Sequence, residues 1–285
     1  MNIIVTLTTI PDRLHNTLYR KDIKLCIDAL LNINYDNYEI HFNIPDIYQQ
    51  TGESYIIPNW LKEECEKNPF LKIFRTKDYG SATKLIPTVD RVSDPNAIII
   101  SVDDDMIYHP ELINQHVKNQ NTWPEYLVGY DGMRSRNKDG SFAHRFQDMR
   151  DYYFSAVGCN SLVDILQAYK TISYKRRFFE DDFKKFLQER GTWCDDTSIS
   201  AYFAMKKRGR LCTFYSEDLI FENYDEWMSN LRCTFPIVEY TEHGPQEGCN
   251  LTRAILEGDE SIEHKTTDLY KKYIDVGYID GNWDY

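Results

Sequence analysis

Between Ala97 and Val102 the chain runs Ala, Ile, Ile, Ile, Ser, Val and then sets Asp103, Asp104 and Asp105 side by side. A strand with one wet face alternates apolar and polar residues, so three consecutive isoleucines belong to a strand covered on both faces, as in a parallel α/β sheet. Such a strand needs neighbours of its own kind. Short apolar, β-branched runs recur at Ile3 to Leu7, Tyr38 to Ile44, Leu71 to Phe74 and Tyr126 to Gly129. Helical segments fit between them, the clearest being Thr17 to Leu31, apolar at Leu18, Ile23, Leu25, Ile27, Leu30 and Leu31. Strand, helix, strand, helix specifies an α/β fold with a mainly parallel central sheet flanked by helices. Ligands in such sheets bind beyond the carboxyl ends of the strands. One functional rim therefore gathers the acidic triplet, "TTIPDR" after the first run, "IPD" after the second and "KDYGSATK" after the third.

Two like charges about 4 Å apart repel by roughly 1 kcal/mol in water and by more at lower dielectric, so the triplet requires a positive partner. Side chains alternate along an extended strand, which predicts Asp103 and Asp105 on one side and Asp104 on the other. Oxygen ligands of this kind suit Mn²⁺ or Mg²⁺, and Mg²⁺ takes one or two protein carboxylates while phosphates and water fill its remaining positions. The plainer alternative is an acidic loop capping a helix that begins near Pro110.

The formal net charge is −12, which disfavours a nucleic-acid backbone as partner. No run of 18 apolar residues occurs, so no transmembrane segment is expected, and "MNIIVTLTTIPDR" does not read as a signal peptide. The seven cysteines are scattered and form no CxxC pair, which points to a reducing, cytoplasmic compartment rather than a disulfide framework or a zinc site. No GxGxxG or GxxxxGK[ST] stretch occurs, which disfavours dinucleotide and P-loop chemistry.

Beyond Trp123 the pattern is less regular. Its clearest helix is Asp195 to Gly209, with Asp at its start, basic residues in the last turn and Gly after it. The division expected is residues 1–122 for donor binding and 123–285 for acceptor binding and catalysis, sharing one domain, with a mobile tail from Thr241. The aromatic rings of Trp123 and Trp193 are suited either to a sugar face or to the core. The basic runs Tyr174 to Phe179 and Lys206 to Arg210 are candidates for peripheral contact with a membrane or an anionic lipid-linked acceptor, against the alternative of solvated helix faces.

An apolar strand ending in an Asp-x-Asp triplet, fourth in an order that opens "VTLTTIPDR", resembles the nucleotide-sugar domain of GT-A glycosyltransferases. The chain is similar in particular to bacterial and large-virus glycosyltransferase-like proteins that carry SLTTIPxR, DxGxATKLxP and an acidic triplet. Here these stand at Leu7 to Arg13, Asp78 to Pro87 and Asp103 to Asp105, over roughly the first 110 residues. The resemblance implies transfer of a sugar from a nucleotide-diphosphate donor, a UDP-sugar by default, to a hydroxyl on a glycan or glycolipid. It implies Thr8, Thr9 and Arg13 near base and ribose, Asp78 at the nucleoside, and Ser81 and Lys84 at phosphate, where a helix start offers amides. Asp104 is counted with these donor residues, Asp103 and Asp105 with the metal, and His243 as a third metal ligand from a late segment. An inverting enzyme needs a carboxylate base. "CDDTSIS" resembles the acidic pair that supplies it, with Asp196 the base and Asp195 the reserve, although an Asp at a helix start also stabilises by about 1 kcal/mol without any chemistry.

Three rivals remain at this point. A haloacid-dehalogenase-like phosphatase also carries Asp-x-Asp after a strand, normally the first strand, whereas here three runs precede it. A nucleotidyltransferase would carry a Gly-rich loop after the first strand, and "TLTTIPDR" has no glycine. The non-enzymatic rival is a metal-dependent carbohydrate-binding module.

Overall fold

In the computed structural model, which describes residues 2–15, 17–133, 161–163, 165–190 and 195–213, the first apolar run forms β1 (Ile3–Leu7). Two helices follow, α1 (Pro11–His15) and α2 (Thr17–Leu31). Pro11 opens α1 where a missing N–H has no consequence. α2 turns Ile23, Cys26, Ile27 and Leu30 into the core at helical spacing, while Leu25 stays exposed. Next come β2 (Glu39–Pro45), α3 (Asn59–Lys67), β3 (Leu71–Thr76), α4 (Ile86–Arg91) and β4 (Ile98–Ser101). The remaining elements are α5 (Leu112–Thr122), β5 (Leu127–Gly129), β6 (Gly132–Met133), β7 (Ser161–Leu162), β8 (Ile165–Leu166), β9 (Ile172–Lys175), α6 (Phe183–Arg190), α7 (Asp195–Met205) and β10 (Arg210–Cys212).

Eight strands form one sheet in the order β3-β2-β1-β4-β9-β5-β10-β7, and β6 pairs with β8 beside it. β3, β2, β1 and β4 are mutually parallel, as are β5 and β10. β9 runs antiparallel between β4 and β5, and β7 antiparallel to β10. The expected α/β class, a mainly parallel central sheet flanked by helices, is what the chain adopts. The isoleucine run behaves as a strand buried on both faces should. Ile98 and Ile100 pack with residues of α2, α3 and α5, and Ile99 packs on the opposite face with residues of α4, α6 and α7.

Because β1 lies between β2 and β4, the strand order reverses at β1, and β1 pairs with β4 with Thr6 opposite Ser101. At such a switch point the loops leaving two neighbouring strands part to opposite faces and open a crevice. The loop after β1 and the acidic triplet after β4 flank that crevice. β9 and α7, both from the second half, extend the same sheet and core, so the rim is completed by residues distant in sequence.

Candidate functional site

β4 ends at Ser101, which leaves Asp103 to Asp105 in a turn rather than on an extended strand. This corrects the expected orientation, because two-residue alternation holds only while the chain is extended. Asp104 and Asp105 share one guanidinium instead of pointing apart. Arg13 pairs with Asp104 through one terminal nitrogen and lies 2.9 Å from Asp105 Oδ2 through the other. Thr9 Oγ1 donates to Asp104 Oδ2 at 2.6 Å. Thr8 Oγ1 donates to the Asn43 carbonyl at 2.8 Å, which ties the loop after β1 to β2.

Asp103 turns the other way. Its Oδ1 accepts a 2.7 Å hydrogen bond from Lys84 Nζ, and the same nitrogen lies 2.8 Å from Asp195 Oδ2 in the first turn of α7. That second contact is an ion pair without hydrogen-bond alignment. The Lys84 side chain is only 6% exposed. Burial alone would pull its pKa down, but Asp103, Asp195 and Asp196 outweigh it and hold it well above the usual range. Tyr108 fixes the turn from beneath, its hydroxyl accepting from Asp103 N at 2.8 Å and lying 3.1 Å from Asp103 O.

The segment expected to start a helix at Ser81 forms a single 3-10 turn, Ala82–Lys84, before the six-residue α4. Pro87 explains the break, since a continuous α-helix would need its missing N–H. The Ser81 side chain makes no capping hydrogen bond. Asp78 is buried and organises this loop. Its carboxylate accepts from Gln49 N and Gly80 N, both at 2.8 Å, and from Thr83 Oγ1 at 3.2 Å. Gly80 sits at φ +59, a left-handed conformation that glycine adopts without strain.

Asp196 Oδ1 accepts the Ala168 amide at 3.0 Å. Burial, reinforced by Asp195 and opposed by Lys84, pushes the Asp196 carboxyl up to about 8. Burial also raises Asp105, to about 6, against the pull of Arg13. Five carboxylates, Asp103, Asp104, Asp105, Asp195 and Asp196, thus converge on two cations, Lys84 and Arg13.

Among the described residues no group of three or more His, Cys, Asp and Glu side chains is arranged to hold a metal ion. Asp103 and Asp105, with side chains 31% and 16% exposed, face different cations, Lys84 and Arg13; each still carries hard oxygens of the kind that Mg²⁺ or Mn²⁺ takes from one or two protein carboxylates. The surplus of negative charge fits such an ion. His243 and Trp193 lie outside the described residues, as does the tail from Thr241. Trp123 ends α5 with its ring edge-on to Tyr126.

The basic runs are engaged within the fold. Arg176 donates to the Val92 and Phe179 carbonyls, Arg177 and Arg208 pair with Glu125, and Lys206 pairs with Glu180 and Asp182. Residues that sequence reasoning passed over include Tyr108 and a buried cluster of Thr6, Asn43 and Thr88. Thr6 Oγ1 and Asn43 Nδ2 both donate to the Lys84 carbonyl, and Asn43 Nδ2 also lies 3.0 Å from Thr88 Oγ1. Their signal was present: a polar side chain inside an apolar strand must find a partner when buried.

The fold and rim together define an α/β chain with an acidic turn at the switch point of its sheet. No family model matches the chain, and no curated protein does either. Among solved structures it is similar to S. aureus TarS at 12% identity and a TM-score of 0.44, over 71% of this chain and 34% of that one. The chain therefore spans about a third of the length of that relative. It is also similar to TarS 1–349 in complex with UDP-GlcNAc, at 12% identity and a TM-score of 0.46, over 96% of this chain and 72% of that one. A third similarity is to 4-diphosphocytidyl-2C-methyl-D-erythritol synthase, at 10% identity and a TM-score of 0.43, over 81% of this chain and 98% of that one. No helix among the described residues is long and apolar enough to cross a membrane.

Proposed function

We propose that the chain is a metal-dependent glycosyltransferase that moves a sugar from a nucleotide-diphosphate donor, a UDP-sugar by preference, to a hydroxyl on a glycan or lipid-linked glycan, with inversion. The observation that carries this reading is that Lys84 lies between Asp103 of the acidic turn and Asp195 at the start of α7. Carboxylates suited to a donor's metal thereby meet carboxylates suited to an acceptor's proton. Asp103 and Asp105 would hold Mn²⁺ or Mg²⁺, which when bound supplies Lewis-acid charge at the leaving diphosphate. Arg13 and Thr9 hold Asp104 and so fix the turn that presents those two oxygens. Asp196 takes the acceptor proton as the hydroxyl attacks C1 and the bond from C1 to the diphosphate breaks. Its enclosed position makes it a stronger base than an ordinary carboxylate.

The test is nucleotide release from UDP-, GDP- and dTDP-sugars in the presence of Mn²⁺, followed by calorimetry on variants. Asp196→Asn is expected to lose about a hundredfold or more in transfer while keeping nucleotide affinity, the scale of general-base catalysis. Near-full turnover would remove Asp196 from the chemistry. Replacing Asp103 and Asp105 together by Ala is expected to abolish the manganese dependence of nucleotide binding. Sugar binding with no nucleotide release from any donor would instead favour a carbohydrate-binding module, and phosphate release from simple monoesters a phosphatase.

A further inference from the structure

We infer that Lys84 is a built-in counter-ion that a divalent cation displaces from Asp103 and that then stays with Asp195, so that loading the donor rim is felt at the start of α7. This rests on the reading of Asp103 as a metal ligand.

The two ends of Lys84 are held very differently. Its carbonyl is gripped by Thr6 Oγ1 and by Asn43 Nδ2, the latter at 3.1 Å, inside the buried cluster completed by Thr88. The backbone is thereby pinned, and the buried four-carbon stem carries the ammonium to a point within hydrogen-bond reach of both carboxylates. The ammonium has three protons, and Asp103 takes a well-aligned one at 2.7 Å. Asp195 Oδ2 is buried, receives no hydrogen bond, and lies 2.8 Å from the same nitrogen. A small swing of the ammonium would turn that ion contact into a hydrogen bond, and the buried oxygen gains most from it because nothing else solvates it.

Asp103 is the more open of the two carboxylates, with a side chain 31% exposed against 11% for Asp195. A cation from solvent therefore meets Asp103 first and repels the ammonium toward Asp195. Lys84 is in this view a positioning residue, acting on the α7 carboxylates rather than on substrate. Asp103 ties the donor rim to it, and α7 carries the response.

The experiment is Mn²⁺ titration by calorimetry, with no sugar present, on the full chain. Wild type is expected to bind Mn²⁺ and Asp103→Asn to lose that binding; if wild type shows no binding, or Asp103→Asn retains it, the metal reading falls and this inference with it. Lys84→Met is expected to bind about tenfold tighter than wild type, the scale of losing a competing charged hydrogen bond. That variant also gains negative charge and leaves buried carboxylates unmatched, so the deciding protein is Lys84→Met combined with Asp195→Asn. The pair of substitutions keeps the local formal charge of wild type and removes the burden on folding. It too is expected to bind Mn²⁺ about tenfold tighter. Equal or weaker binding by the double variant, with Asp103→Asn still inactive toward the metal, would overturn the displacement by Lys84 and leave the metal reading standing.

Discussion

At the scale of single residues, the acidic triplet divides into unlike members. Asp104 is buried, receives Thr9 Oγ1 at 2.6 Å and pairs with Arg13, so it serves the turn itself. Asp103 is more open and still leaves Lys84 a second partner in Asp195 when it is removed. Asp104→Ala would take one partner from a partly buried guanidinium and the acceptor from the buried Thr9 hydroxyl. It is expected to lower unfolding free energy by about 3 kcal/mol, toward the low end for breaking a buried pair because Arg13 keeps Asp105. Asp103→Asn is expected to lose clearly less. Urea denaturation in EDTA checks both, and equal losses would contradict the division of roles. Sequence alone marked Arg13, Lys84 and the triplet as rim residues but set Asp103 with Asp105 against Asp104, whereas Asp104 and Asp105 share Arg13. It treated a turn as a strand, and no local pattern reveals that β4 stops at Ser101.

At the scale of elements, much of the first half was legible because each piece carries its own period. β1 and α2 fall where the apolar spacing puts them, at Ile3–Leu7 and Thr17–Leu31. β9 was not legible. Its four residues pair antiparallel with Ile98 to Ser101, a contact more than 70 residues away that leaves no trace in local sequence. The end of α7 also differs from expectation. Gly209 was expected to stop the helix, yet Lys207 takes the left-handed position at φ +55, with Arg208 N bonded to Phe203 O at 2.8 Å. Lys207 is exposed, so Lys207→Gly is expected to stabilise the protein by about 1 kcal/mol, read from the thermal or urea midpoint. Thr171, at φ +71 between the Ala168–Lys170 turn and β9, is the buried contrast. Its hydroxyl lies 2.7 Å from His116 Nε2, so Thr171→Gly relieves strain but orphans a buried nitrogen. Thr171→Val orphans the same nitrogen and keeps the strain. The Gly variant is therefore expected to exceed the Val variant by about 1–3 kcal/mol, and equal stabilities would show that the backbone there is unstrained.

At the scale of the whole molecule, extending the donor sheet with strands and helices of the second half encloses carboxylates at the seam, and pH reports on that enclosure. The Asp196 carboxyl is pushed up to about 8 by burial and by Asp195. The folded protein therefore holds a proton there that the unfolded chain, with an ordinary value near about 4, has already released. That preference contributes fully below about pH 4 and is lost as pH climbs toward 8, at up to about 1.4 kcal/mol per pH unit. Asp105, raised to about 6 by burial, acts in the same direction but is exhausted once pH passes its folded value. His116 acts oppositely. Burial lowers it to about 3, so its contribution is complete above about pH 6.5 and lost as pH falls. Above about pH 6.5 His116 has completed its contribution and Asp105 has nearly exhausted its own, which leaves Asp196 the largest of these three between there and about pH 8. Urea unfolding in EDTA at constant ionic strength is expected to show stability falling by about 1–2 kcal/mol across that window, and Asp196→Asn to flatten it. A slope that persists unchanged in Asp196→Asn would mean that the seam does not enclose this carboxyl, and would remove the physical basis for its strength as a base.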